Sequence, residues 1–207
     1  MLERRALLAG LALLAAPASA QTRPALFGPL PDYPAHGRLG RRARAPARLF
    51  RTRDALRYHA TDGLEHVVVA RLDRDKAWLH VPALRAAFET DLTGVGLPPA
   101  ALRGRGFRET AVRTATVDGV PATQLRVTRE DPALALDALA LVDRRGVLWA
   151  LEGIGSVDGN AGRLDWRFED VTVGPLDSAL FEAPQAQLIP VAGETLLATL
   201  RRFGLLR

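Results

Sequence analysis

The chain has 207 residues, no cysteine and a net charge of +5 with its histidines neutral. Disulfides, thiolate metal sites and thiol catalysis are therefore excluded. Stability must come from a packed core, and a chain of this length is one domain able to bury roughly 70% of the surface it exposes when unfolded.

Residues 1–20 have the pattern of a cleavable export signal. Arg4 and Arg5 precede an uncharged run from Ala6 to Ala16, and Ala18-Ser19-Ala20 places small residues where a signal peptidase reads them, so cleavage is expected after Ala20. The apolar run is shorter than the roughly 20 residues a membrane-spanning helix needs, and the remainder is expected to be a soluble periplasmic protein. The adjacent arginines fit a twin-arginine signal and an ordinary basic signal start alike. No cysteine follows the small residues, so no lipoprotein anchor is expected.

Residues 21–46 hold Pro24, Pro29, Pro31, Pro34 and Pro46 with little hydrophobic periodicity, and are predicted to be an extended lead-in that contributes little core. Eight arginines fall between Arg38 and Arg57, among them Arg41, Arg42 and Arg44. In an exported chain this stretch reads as a solvated basic face or as a contact with anionic lipid, and not as a nucleic-acid site.

From residue 47 short runs rich in Val, Leu, Phe, Trp and Thr alternate with turn signals at Asp62-Gly63, Arg74-Asp75, Asp118-Gly119, Arg145-Gly146 and Asp158-Gly159. An antiparallel meander is predicted, with strands near 47–52, 55–60, 64–72, 76–81, 84–89, 107–117, 120–128, 138–143, 146–152 and 163–173. The Gly- and Pro-rich loop 91–106 divides them into two groups. Two-residue turns at Asp62-Gly63 and Arg74-Asp75 would put Leu56, Tyr58, Val67, Val69, Trp78 and His80 on one face, which makes those six the candidate apolar ligand site. Val68, Ala70, Leu72, Leu79 and Val81 would lie on the other. Both faces are apolar here, so each needs a cover. In the tail, Leu196, Leu197, Leu200 and Phe203 recur at helical spacing ahead of Arg201, Arg202 and Arg207. That spacing predicts an amphipathic C-terminal helix over 194–207, docked on the sheet or resting on a membrane surface.

Catalytic and metal signatures are sparse. Ser156 and Ser178, the only serines beyond the signal, fit no nucleophile elbow. Gly94-Val-Gly96 and Gly153-Ile-Gly155 lack the continuation of a dinucleotide-binding turn and read as loops. Asp158-Gly-Asn160-Ala-Gly162 has its glycine misplaced for a calcium loop and reads as a turn. His59 and His66 would face each other across the first hairpin, but with no third ligand they read as a surface pair rather than a metal site. No cofactor is expected and no catalytic step.

The blocks Arg48-Leu-Phe-Arg-Thr-Arg-Asp-Ala-Leu-Arg-Tyr58, Val67-Val-Val and Asp75-Lys-Ala-Trp-Leu-His-Val-Pro-Ala-Leu-Arg-Ala-Ala-Phe-Glu89 resemble bacterial periplasmic proteins related to the lipoprotein carrier LolA and to LolB, including an outer-membrane lipoprotein-sorting-like domain of unknown function. Thr116-Val-Asp-Gly-Val-Pro-Ala-Thr123 and Val171-Thr-Val-Gly-Pro-Leu-Asp-Ser-Ala-Leu-Phe-Glu-Ala-Pro184 resemble that group too, so the likeness covers residues 47–184. The resemblance implies a strongly curved antiparallel sheet, a half-open barrel of LolA-like type, whose concave side is apolar and binds a lipid or lipoprotein acyl chain. The domain division is then a signal at 1–20, a lead-in at 21–46, a mainly β domain at 47–184 and a tail at 185–207. An alternative function is an envelope interaction module that meets an anionic membrane surface or a protein partner through residues 38–57 and helix 194–207, using Arg41, Arg42, Arg44, Arg201 and Arg202. No oligomeric state follows from the sequence.

Overall fold

Local turn chemistry is the first thing to hold. In the computed structural model, which describes residues 33–39, 46–61, 64–157, 159–193 and 195, Val117 pairs with Val120. Asp118 and Gly119 between them have φ of 48° and 78°. Two consecutive left-handed residues make the two-residue turn whose twist matches paired strands, and an Asp-Gly pair adopts it readily.

Twelve strands are formed among the described residues: β1 Tyr33–Leu39, β2 Pro46–Arg51, β3 Ala55–Ala60, β4 His66–Arg71, β5 Lys76–Val81, β6 Ala86–Asp91, β7 Arg108–Val117, β8 Val120–Arg129, β9 Leu134–Asp143, β10 Leu148–Val157, β11 Asn160–Glu169 and β12 Gln187–Pro190. They join one sheet in the order β12-β6-β5-β4-β3-β2-β1-β11-β10-β9-β8-β7. Every pairing is antiparallel except β12 with β6. Two meanders, β1–β6 and β7–β11, meet where β1 pairs β11, and the sheet ends at β12 and β7 without closing into a barrel. The C-terminal helix predicted over 194–207 lies, apart from Thr195, outside the described residues, as do the signal and most of the lead-in.

Three sequence expectations change. Tyr33–Leu39, inside the expected lead-in, is the strand that joins the two meanders. Its Pro34 and Gly37 hide it from pattern reading. Pro34 is tolerated because β11 pairs only with His36–Leu39, so Pro34 has a neighbour on one side alone. Gly153-Ile-Gly155 lies within β10 and not in a loop. A side chain at Gly153 would meet the backbone of β9, with an added Cβ 2.3 Å from the Asp137 carbonyl oxygen. The start of β6 moves from 84 to 86 because Pro82–Leu84 forms one turn of 3-10 helix, ended by Arg85 at φ 50°.

Apolar packing divides by face. One face, called inner here, carries a continuous cluster from Leu49 on β2 through Leu56, Tyr58, Leu79 and Phe88 to Leu125, Leu136, Leu151, Leu164 and Trp166 on the second meander. The outer face of the first meander carries a separate cluster of Ala55, Val67, Val69 and Trp78. The strap 176–183 covers it with Phe181, Leu176, Leu180 and Ala183. Thus both faces of this meander are apolar and both are covered, as the alternation required. The outer face of the second meander is mixed, with ion pairs Arg126–Asp137 and Arg163–Glu152 at 2.8 and 3.0 Å beside the exposed Leu139 and Ile154.

Candidate functional site

The six candidate ligand residues do not share a face. Tyr58 pairs with Val68 and Leu56 with Ala70, so five residues, not two, separate β3 from β4. The alternation of side chains means a shift of one position turns a strand over. Leu56 and Tyr58 therefore lie on the inner face, whereas Val67, Val69, Trp78 and His80 lie on the outer one beneath or beside the strap. The β4–β5 register also differs from the expected one, with Val69 opposite Trp78, but by two positions. That leaves the faces unchanged.

The same slip undoes the histidine pair. His59 pairs with Val67 and His66 with Ala60, so the two rings leave opposite faces of the sheet. His59 Nε2 meets Glu65 Oε1 at 2.8 Å, and His66 Nδ1 meets the Leu64 carbonyl at 2.9 Å. Among the described residues no three metal-binding side chains gather. Ser156 stands in the β10–β11 ladder opposite Ala161, and Ser178 opens a 3-10 turn capped by Asp177.

The outer cluster is a closed structural core. Trp78 donates its indole N–H to Glu89 Oε2 at 2.8 Å, and Glu89 with Asp91 holds Lys76. Arg57 Nη1 donates to the Leu180 carbonyl at 3.1 Å, while Arg71 and Arg74 both grip Glu182 at 2.7 and 2.9 Å. Partial burial, with the Arg57 guanidinium nearby, holds His80 below the usual histidine range, so it stands neutral near pH 7. Hydrogen bonds from Arg74 and Arg71 hold the Glu182 carboxyl below its usual range, and Arg71 does the same to Asp73.

Arg41, Arg42, Arg44, Arg201 and Arg202 lie outside the described residues. The neighbouring arginines that are described do not form one basic surface: Arg48 and Arg53 are exposed, Arg57 is tied to the strap, and Arg51 is fully buried.

What remains as a candidate site is the inner face together with loop 92–107, a cover the sequence reading did not assign. Thr93–Val95 makes one 3-10 turn and Pro99–Leu102 one short helix, α1. Between them Leu92, Val95, Leu97, Ala101 and Leu102 are buried in the inner cluster. The polar ties of this loop lie at its rim. Asp75, held at φ 52° in the β4–β5 turn, accepts from Thr93 N and Thr93 Oγ1 at 3.0 and 2.9 Å. Arg103 reaches Asp54 in the β2–β3 turn at 2.9 Å. Arg129 at the end of β8 donates to the Arg105 carbonyl and lies over the Phe107 ring at 5.2 Å. Glycine and proline in this loop predicted irregular backbone. Its five apolar side chains were the signal that it turns inward.

No protein-family model matches the sequence, and no curated protein matches it. Solved structures similar to the chain include the LolA superfamily protein NE2245 from Nitrosomonas europaea, with 8% identity over 86% of this chain and 97% of that one and a TM-score of 0.36. A chain of the Pseudomonas aeruginosa MucA/MucB complex is similar at 16% identity over 77% of this chain and 58% of that one, TM-score 0.44. PNGF-II is similar at 10% identity over 80% and 32%, TM-score 0.48. The chain thus spans under two thirds of the second and about a third of the last. All three scores lie below 0.5, and the functional reading rests on the sheet and its loop.

Proposed function

We propose that this chain is an exported, non-catalytic binding protein of the bacterial periplasm that holds a lipid or other apolar molecule against the inner, concave face of its sheet. The observation that carries the reading is the way that face is covered. A loop rich in glycine and proline inserts Leu92, Val95, Leu97, Ala101 and Leu102 into the cluster. Its polar ties are few and lie at the rim, on Asp75, Asp54 and Arg129. An apolar plug on polar attachments can swing out if something equally apolar takes its place.

The magnitudes allow the exchange. Exposing a buried leucine or valine costs about 1.5–3 kcal/mol, so lifting the loop's three larger buried leucines and its valine costs on the order of 10 kcal/mol. A hydrocarbon chain of about twelve methylenes recovers a similar amount, at about 0.8 kcal/mol each.

The test is purification from the periplasm without detergent, organic extraction, and mass spectrometry against a mock preparation. A near-stoichiometric lipid is the expected result. A folded protein that yields no lipid, and that also leaves the dye N-phenyl-1-naphthylamine dark, would overturn the reading. Salt-sensitive binding to anionic vesicles in that same empty protein would shift it to the surface module of residues 38–57 and 194–207.

A further inference from the structure

Two of the three tryptophans bear comparison on one point, the fate of a buried indole N–H. Trp78 donates to Glu89 at 2.8 Å. Trp149 is 6% exposed, and its Nε1 is out of contact with solvent and meets no acceptor among the described residues. A buried donor without an acceptor is unfavourable, and native folds rarely leave one.

Its position in the sheet is equally particular. Leu148 pairs with Val142 and Ala150 with Leu141, so Trp149 is the extra residue of a bulge in β10. Bulges re-aim a side chain and often adjoin functional sites. The indole belongs to the inner cluster, with Leu148, Leu151 and Phe168. From Trp149, β10 runs eight residues to Val157, about 26 Å of strand. The far end lies toward the loop: Gly155 faces Leu136, Leu136 faces Arg129, and Arg129 holds the Arg105 carbonyl.

We propose that Trp149 is the polar contact of the ligand site, donating its indole N–H to a single acceptor oxygen at one end of an elongated apolar molecule. The inference rests on the apolar-binding reading above and adds the ligand's chemistry: a hydrocarbon body lies along the inner face, and a carbonyl or equivalent oxygen sits at the Trp149 end. An apolar pocket with one oriented donor discriminates by that donor, since hydrocarbon gains nothing from it.

The experiment compares methyl laurate with tridecane, similar in length but with and without the acceptor, as displacers of N-phenyl-1-naphthylamine from the full protein and from Trp149→Phe. The expected result is that the wild type prefers the ester about tenfold, equivalent to about 1.4 kcal/mol, and that in the variant the ratio of ester to alkane affinity falls toward one. In parallel, the Trp149 indole N–H resonance of 15N-labelled wild type should move downfield with the ester and stay in place with tridecane. That readout needs no variant to fold beyond assigning the peak. Equal displacement by both probes in both proteins, or an indole resonance indifferent to the ester, overturns the role of Trp149 while the binding reading stands. Failure of the wild type to take up dye, ester and alkane alike overturns both.

Discussion

At the scale of single residues, glycine separates two kinds of constraint in this sheet. Gly153 sits where a Cβ would lie 2.3 Å from the Asp137 carbonyl oxygen and 2.6 Å from the Ala138 Cβ, against the neighbouring strand. Neither contact can rotate away, so Gly153→Ala must separate β9 from β10 locally. Gly119, at φ +78° in the β7–β8 turn, has open space around a Cβ and only its backbone conformation to protect. The expected outcome is a loss of about 2–3 kcal/mol for Gly153→Ala, within the range of overpacked cores, against about 1 kcal/mol for Gly119→Ala. Urea denaturation of the two variants checks the order. From sequence the roles of these glycines look alike. Asp118-Gly119 was legible as a turn because the dipeptide itself carries the conformation, whereas Gly153 answers to a strand that arrives from elsewhere in the chain.

Single elements show where pattern reading reaches its limit. Alternation placed β3, β4 and β5 within two residues, yet the odd loop between β3 and β4 turned β3 over and split the expected ligand set. Nothing in Thr61–Glu65 reveals whether two or five residues make the turn, and only that parity decides the face. The covering segments invite two predictions. Asp75→Ala removes both side-chain hydrogen bonds to Thr93 at the loop's rim. Amide exchange at Leu97, whose N–H donates to the Leu92 carbonyl, should then quicken several-fold while global stability falls by no more than about 1–2 kcal/mol. Unchanged exchange would mean that the apolar insertion, with the ties to Asp54 and Arg129, holds the loop without the Asp75 carboxylate. The strap should respond to acid. Glu182 and Asp73 have folded pKa values below their unfolded ones of about 4.3 and 3.9. The stability they contribute is therefore present above those unfolded values and is lost as pH falls through the folded ones. Exchange at Leu180, on the strap, should rise as pH drops below about 4 relative to the intrinsic rate. In Glu182→Gln that rise should already be present at neutral pH, since arginine then meets a neutral amide.

For the molecule as a whole, the decisive contacts join residues far apart in sequence. β1 pairs β11 through His36 and Glu169, and β12 lies beside β6 through Gln187 and Ala86. Hairpins were legible because each is written in one stretch of chain. The joint between the meanders was not, since Tyr33–Leu39 carries no periodicity of its own and takes its conformation from Pro46–Arg51 on one side and Trp166–Glu169 on the other. Local pairing alone would let the two meanders unfold separately. The inner cluster argues against it, because Leu49, Leu56 and Phe88 from the first share one continuous core with Leu125, Leu151 and Trp166 from the second. Splitting that core would expose apolar surface on both halves at once, which makes a single cooperative transition the lower-energy route. The tryptophans fall on the two sides of the joint, Trp78 in the first meander and Trp149 and Trp166 in the second. In urea, a protein retaining only Trp78 and one retaining only Trp166 should each show the midpoint that circular dichroism gives for the same variant. If the fluorescence midpoint leads or lags the backbone signal in either protein, the two meanders are separate folding units, and the inner cluster bridges them without coupling them.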